Sequence, residues 1–111
     1  MADCLFCSIA AGDIPADIVH ETEDVVAFND INPAAPTHVL VIPKRHISSA
    51  EDLEVDDAGL LFSLFDVAAR VGRGIEGGWR LVTNVGPDAG QSVFHLHFHV
   101  LGGRKLGWPP G

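Results

Sequence analysis

Three histidines, His95, His97 and His99, alternate with Leu96, Phe98 and Val100 in the stretch QSVFHLHFHVLGG. An extended chain sends successive side chains to opposite faces, so the alternation puts three imidazoles on one face and three apolar side chains on the other. The residue types of VFHLHFHVL suit a strand, and the pattern predicts one over 94–101. Imidazole is a nucleophile, a proton carrier near neutral pH and a metal ligand. The row therefore reads as hydrogen-bonded structural histidines, as a catalytic zinc site, or as a division of labour among its members. Same-face positions lie about 6.6 Å apart along a strand, which separates the outer pair by roughly 13 Å, so at most two adjacent members share one ion.

Cys4 and Cys7, in CLFC, are the two cysteines of the chain. In a reducing compartment such a pair is a metal clip or a redox site rather than a structural disulfide. The plainer alternative is two small buried side chains on a short helix, and a thioredoxin-like role is disfavoured because no strand precedes the pair. A closed zinc site takes four Cys or His ligands. His46, just after VIPKR, and His95, the outermost of the row, are the candidates to complete it.

That assignment leaves His97 and His99 for chemistry. A ring nitrogen that donates to a backbone carbonyl leaves its partner nitrogen with an exposed lone pair, and neutral imidazole can attack phosphorus to form a covalent intermediate. His97, central in the row, is placed for attack. His99 would bind the phosphate or the leaving group and help an amine to depart protonated. The loop GPDAGQS can offer backbone N–H groups, Gln91 and Ser92 to phosphate oxygens, or can be a plain turn. Asn84 can face the same pocket or finish its strand, and Asp30 can accept from a sugar hydroxyl or cap its loop.

The elements that must carry these residues follow from periodicity. CLFCSIAAGD predicts a short opening helix closed by Gly12, and DIVHETEDVVAFND two short strands around a turn at Glu21–Asp24. DINPAAP reads as an irregular loop, and THVLVIPK as a strand with His38, Leu40 and Ile42 facing one way and Val39 and Val41 the other. A long helix starts at Asp56 or Asp57 and runs to the glycines at 72 and 74, its buried stripe being Leu61, Leu64, Phe65, Ala68 and Val71, widened by Leu60 and Val67. WRLVTNVG predicts a further strand. The class is α+β, with an antiparallel sheet of about five strands, one long helix and a short N-terminal one.

With 111 residues the chain fits one domain, near the size at which sharing a core between subunits helps. No apolar run approaches the roughly 20 residues of a membrane span, so a soluble protein is expected. MADCLFCSIAAGD lacks a basic region ahead of an apolar stretch, unlike a secretory signal, and the expected location is the cytoplasm. The net charge of −8 argues against tracking polymeric nucleic acid. Small phosphorylated ligands remain, because backbone N–H groups and a few local cations suffice to hold them.

HLHFHVL resembles the histidine triad (HIT) motif, and DIPADIVHETEDVVAFNDINPAAPTHVLVIPKRHIS, GQSVFHLHFHVLGG and the terminal GWPPG extend the likeness over nearly the whole chain. They resemble the histidine triad nucleotide-binding (Hint) branch. The resemblance implies a single HIT domain over 1–111 with a tail at 104–111, and a homodimer whose two five-stranded sheets join into one of ten. It implies a purine nucleotide pocket with His97 as nucleophile, His99 at the phosphate and His38 in support. Asp30 would hold the ribose, Phe6, Ile14, Phe28 and Ile31 the base, and Asn84, Gln91 and Ser92 the phosphate or leaving group. Trp108 would reach the partner's pocket or pack on its own domain. The reaction implied is hydrolysis of the P–N bond of purine nucleoside phosphoramidates, of the adenosine 5'-monophosphoramidate type, through a nucleotidyl-histidine and without a catalytic metal. CLFC with the histidine of PKRHI resembles zinc-carrying relatives, implying structural zinc at Cys4, Cys7, His46 and His95. The alternatives are a non-catalytic nucleotide-binding or zinc-stabilised interaction module and a dinucleoside polyphosphate hydrolase, against which the GWPPG tail speaks.

Overall fold

Two buried strands, β2 (Val25–Asn29) and β3 (Thr37–Pro43), form the middle of an antiparallel sheet. With β1 (Ile18–Glu21), β4 (Trp79–Val82) and β5 (Phe98–Gly102) its order is β1-β2-β3-β5-β4. The computed structural model describes residues 4–111, and residues 1–3, where the segment read against a secretory signal begins, lie outside the described residues. No helix among these residues is long and apolar enough to cross a membrane.

Alternation along the strands builds two cores. Val25, Ala27, Val39, Val41, Leu96, Phe98 and Val100 face helix α2 (Ala58–Gly72), while Val26, Phe28, Leu40 and Ile42 face helix α1 (Leu5–Ala10). His38, His97 and His99 have the parity of the second set and are turned to the α1 side. Helix α1 ends as expected: Gly12 takes a left-handed φ of 81° and its N–H closes on Ile9 O.

Three expectations need correction. The strand foreseen over 94–101 begins only at Phe98, so His95 lies in a bend and His97 in the irregular approach to it. The β3–β5 ladder pairs Val41 with Phe98. Continued two residues further it would set Leu96 opposite Pro43, which has no N–H to donate. WRLVTNVG is a strand only to Val82; the next residue meets the histidine segment through its side chain, the Thr83 hydroxyl donating to His97 O (2.9 Å). Phe65, read as core, is 46% exposed and packs at a tilt against Phe98 at the border of the α2 core, while Leu60, Leu61 and Val71 are half-buried around the buried Leu64, Val67 and Ala68. The long helix starts at Ala58 with Asp57 at its N-cap position, but the Asp57 carboxylate accepts from Glu54 N–H (3.0 Å) and pairs with Arg45.

Gly72 lies directly beneath the indole of Trp79, where a Cβ would overlap the ring. Gly72→Ala is expected to cost about 1 kcal/mol, at the low end for overpacking because the half-exposed ring can swing aside. A melt lowered by roughly 4–8 °C checks this.

Candidate functional site

A cavity of about 390 Å³ opens on the α1 side of the sheet. Its walls bring together Phe6, Ile14, Phe28, Asp30, Ile31, Ser92, His97 and His99, all singled out in the sequence. Leu5, Ile9, Leu40 and Val93 line it too and went unread, although Ile9 follows Phe6 by one helical turn and Leu40 shares the parity of His38. Of the remaining candidates, His38 sits behind His99 rather than on the wall, and Asn84 also lies off the lining. Gln91 is buried and spends its amide on the loop: Oε1 accepts from Gly86 N–H (3.0 Å) and Nε2 donates to Ser48 O (2.8 Å) and Val93 O (3.1 Å). Trp108 is 81% exposed, with the Arg80 guanidinium against its ring.

Hydrogen bonding fixes the state of each ring. A carbonyl only accepts, so His97 Nδ1 carries the proton it donates to His95 O (2.7 Å), which leaves the Nε2 lone pair free. Ala34 N–H donates to His38 Nδ1 (3.0 Å), so His38 Nε2 carries the proton and donates to His99 Nδ1 (2.9 Å). His99 Nε2 must then be the protonated nitrogen. It is buried and has no hydrogen-bond partner among the described residues. A buried donor of this kind is costly unless a ligand satisfies it. The cavity wall thus pairs a nucleophilic nitrogen with a donor suited to an anionic oxygen. Asp30 uses Oδ1 to accept from Asn32 N–H (2.9 Å), and its Oδ2 lies 3.5 Å from His38 Nε2.

Burial sets the electrostatics. It holds His97 below the usual imidazole range, although the bond to His95 O and the Asp30 charge pull the other way. His99 is pushed down to about 4, first by burial and then by His97 and His38, with Asp30 opposing. Both rings are therefore neutral at pH 7, as attack and the relay require. The unfolded chain binds a proton at this histidine below pH ~6.5, whereas the folded chain refuses it until about 4. Stability should consequently fall as pH is lowered from about 6.5 towards 4. Replacing His99 with Asn should flatten that part of the pH–stability curve, and denaturant titrations across this range test the effect.

On the far side of His95, Cys4, Cys7, His46 and His95 point their ligand atoms at one another. His46 Nδ1 and His95 Nδ1 lie 3.2 Å apart, and Sγ–Nδ1 separations are 3.4 Å for Cys4–His95, 3.3 Å for Cys7–His46 and 3.5 Å for Cys7–His95. Tetrahedral zinc with ordinary bond lengths sets nitrogen ligands about 3.3 Å apart and sulfur from nitrogen about 3.5 Å. His95 Nε2 donates to Pro43 O (2.8 Å), which frees Nδ1 to ligate and supplies the outer-shell partner that such histidines use. Burial also favours neutral His95, the ligating form. Burial and the adjacent Cys4 raise the Cys7 thiol, effects that a divalent cation offsets by favouring thiolate. The four residues fit a structural zinc ion. A second grouping, Asp30, His38 and His99, is also close-set, but its two imidazoles face one another at hydrogen-bond distance. It is a proton relay in form.

The HIT domain pattern matches residues 11–106. This chain belongs to the HIT domain family. A 14 kDa zinc-binding protein of Zea mays is 45% identical, the match covering 96% of this chain and 87% of that protein. Among solved structures, a HIT family hydrolase of Legionella pneumophila Philadelphia 1 aligns with a TM-score of 0.94 and 49% identity over 98% of this chain and all of that one. A HIT family hydrolase of Clostridium thermocellum aligns with a TM-score of 0.93 and 46% identity over 96% of each chain. The match begins beyond Cys7, so Cys4 and Cys7 of the candidate metal cluster lie outside it while His46 and His95 lie within.

Proposed function

We propose that this HIT protein is a single-domain member of the Hint branch that binds purine nucleotides and hydrolyses purine nucleoside phosphoramidates. The reading is carried by one observation: His97, whose Nε2 keeps its lone pair, and His99, whose buried Nε2–H has no partner among the described residues, line the same cavity. The apolar walls at Phe6, Ile14, Phe28 and Ile31 suit a base, and Asp30 suits a ribose hydroxyl. Attack by His97 Nε2 forms an N–P bond as the substrate's P–N bond breaks. His99 Nε2–H steadies the phosphate oxygen that gains charge and passes its proton to the departing nitrogen, so the amine leaves protonated, while Ser92 borders the same group. Water then attacks phosphorus as the His97 N–P bond breaks and gives its proton back to His99, which releases the nucleoside monophosphate and restores both rings. Gln91, by bracing the loop, and His38, by fixing the His99 tautomer, act at one remove. Structural zinc at Cys4, Cys7, His46 and His95 crosslinks the scaffold and takes no part in the bond changes.

Dimerisation belongs to the same proposal. Phe62, Phe65 and Gly72 with its overlying Trp79 recur at helical spacing along α2, and Phe62 is 70% exposed. An apolar stripe of this kind beside the edge strand β4 suits a second copy, extending the sheet to ten strands. Trp108, exposed on the tail, is then free to reach the partner's cavity. Sedimentation as a two-subunit species checks the assembly.

The enzymatic reading is tested by intact mass after rapid mixing with adenosine 5'-monophosphoramidate. A transient nucleotidyl adduct is expected. Its absence under rapid quench, with nucleotide binding intact, would make the chain a binding module. Faster adduct formation from a dinucleoside polyphosphate would move the chain to the polyphosphate hydrolases.

A further inference from the structure

The metal cluster and the cavity share structural parts. His95 presents its ring to Cys4 and Cys7 (3.4 and 3.5 Å) while its backbone carbonyl accepts from His97 Nδ1 (2.7 Å). Helix α1 is shared as well. Its six residues are too few to be stable alone. Cys4 and Cys7 lie at its first turn, and Phe6 between them meets His97 edge-on with ring centres 5.1 Å apart and His95 at 6.0 Å. The segment bearing His95 and His97 precedes the β5 ladder. Apart from the cluster, its hydrogen bonds among the described residues are Leu96 N–H to Ile47 O, the His95 ring to Pro43 O and Thr83 to His97 O, with Leu96 packed into the α2 core. Neutral imidazole has two tautomers of similar energy. Whatever holds the His95 carbonyl in place therefore decides which nitrogen of His97 carries the proton, and so whether Nε2 keeps its lone pair.

We propose that the Cys4–Cys7–His46–His95 centre is a positioning device for His97. With an ion bound, its ligands fix the His95 carbonyl and the ring of Phe6, and through them the Nε2-exposed state of His97. This rests on the nucleotide reading above and makes Phe6 and His95 positioning residues that act through His97. Coupling between sites is reciprocal, so a nucleotide seated against His97 must tighten the metal site by the factor by which the metal tightens the nucleotide site.

Zinc affinity of the whole chain, measured by competition with a chromophoric chelator, is expected to rise at least about fivefold when adenosine 5'-monophosphate is saturating. Equal zinc affinities in a chain shown to bind the nucleotide overturn the proposal. The ¹⁵N–¹H imidazole spectrum gives a second readout that needs no nucleotide. A single Nδ1–H state of His97 is expected with zinc and a mixture of tautomers after chelation; an unchanged His97 spectrum after verified zinc removal also overturns the proposal. A chain that ignores the nucleotide yet shows the tautomer change refutes the nucleotide reading and upholds the coupling. Should chelation unfold the chain, the zinc-loaded Phe6→Leu variant carries the test: mixed His97 tautomers support the proposal, and the wild-type spectrum overturns it.

Discussion

Replacing His97 with Ala is expected to lower kcat on adenosine 5'-monophosphoramidate by on the order of 10⁴-fold or more, and to abolish the covalent adduct, while the chain still folds and binds nucleotide. The size follows from the role. Removing a nucleophile withdraws the intermediate itself and leaves only the catalysis of the surrounding donors. The fold should survive because the deleted ring faces a cavity, whereas its neighbours Leu96 and Phe98 carry the core on the opposite face. His99→Ala provides the contrast. It removes a donor and leaves the attacking lone pair in place, so a smaller loss, about 10²–10³-fold, is expected, with the His97 adduct still trapped on quench. Single-turnover mass spectrometry of both variants checks the assignment. Retained turnover in His97→Ala, or a greater loss in His99→Ala, would reverse the two roles.

These roles depend on ring states that the sequence only partly discloses. The alternation of His95, His97 and His99 with Leu96, Phe98 and Val100 shows which face each side chain takes, because parity survives even where the ladder does not form. The length of the strand was not legible: it depends on Pro43, distant in sequence, meeting the approach to β5. Cys4 and Cys7 could be joined to His46 and His95 because ligand chemistry needs four partners and few were available. The relay from Ala34 N–H through His38 to His99 left no such trace, since it is made by the irregular loop between Asp30 and Pro36 folding a backbone N–H onto a ring. Gln91 shows a second kind of contact hidden from the sequence. An amide beside a glycine turn suggests a phosphate donor, yet the turn uses Gln91 to satisfy its own backbone, as buried loops must.

Removal of the zinc ion proposed at Cys4, Cys7, His46 and His95 is expected to have the largest effect on stability. An ion bound to the folded chain and not to the unfolded one stabilises by about 4 kcal/mol when free metal exceeds its Kd a thousandfold. For a domain of this size that corresponds to a melting temperature lowered by roughly 15–30 °C on chelation. The site explains why the effect should be global. Its ligands join α1, the segment after β3 and the approach to β5, which otherwise meet through few hydrogen bonds. Calorimetry with and without chelator measures the shift, and activity well below the lowered melt separates the roles open to the ion. A structural ion leaves an appreciable part of turnover after removal, with loss tracking the His97 tautomer. An ion that acts directly in the reaction takes all turnover with it while His97 keeps its ring state. The latter outcome would return the row of histidines to the catalytic-zinc reading, against the facing geometry of His38 and His99, whose nitrogens at 2.9 Å are turned to each other rather than to a common ligand.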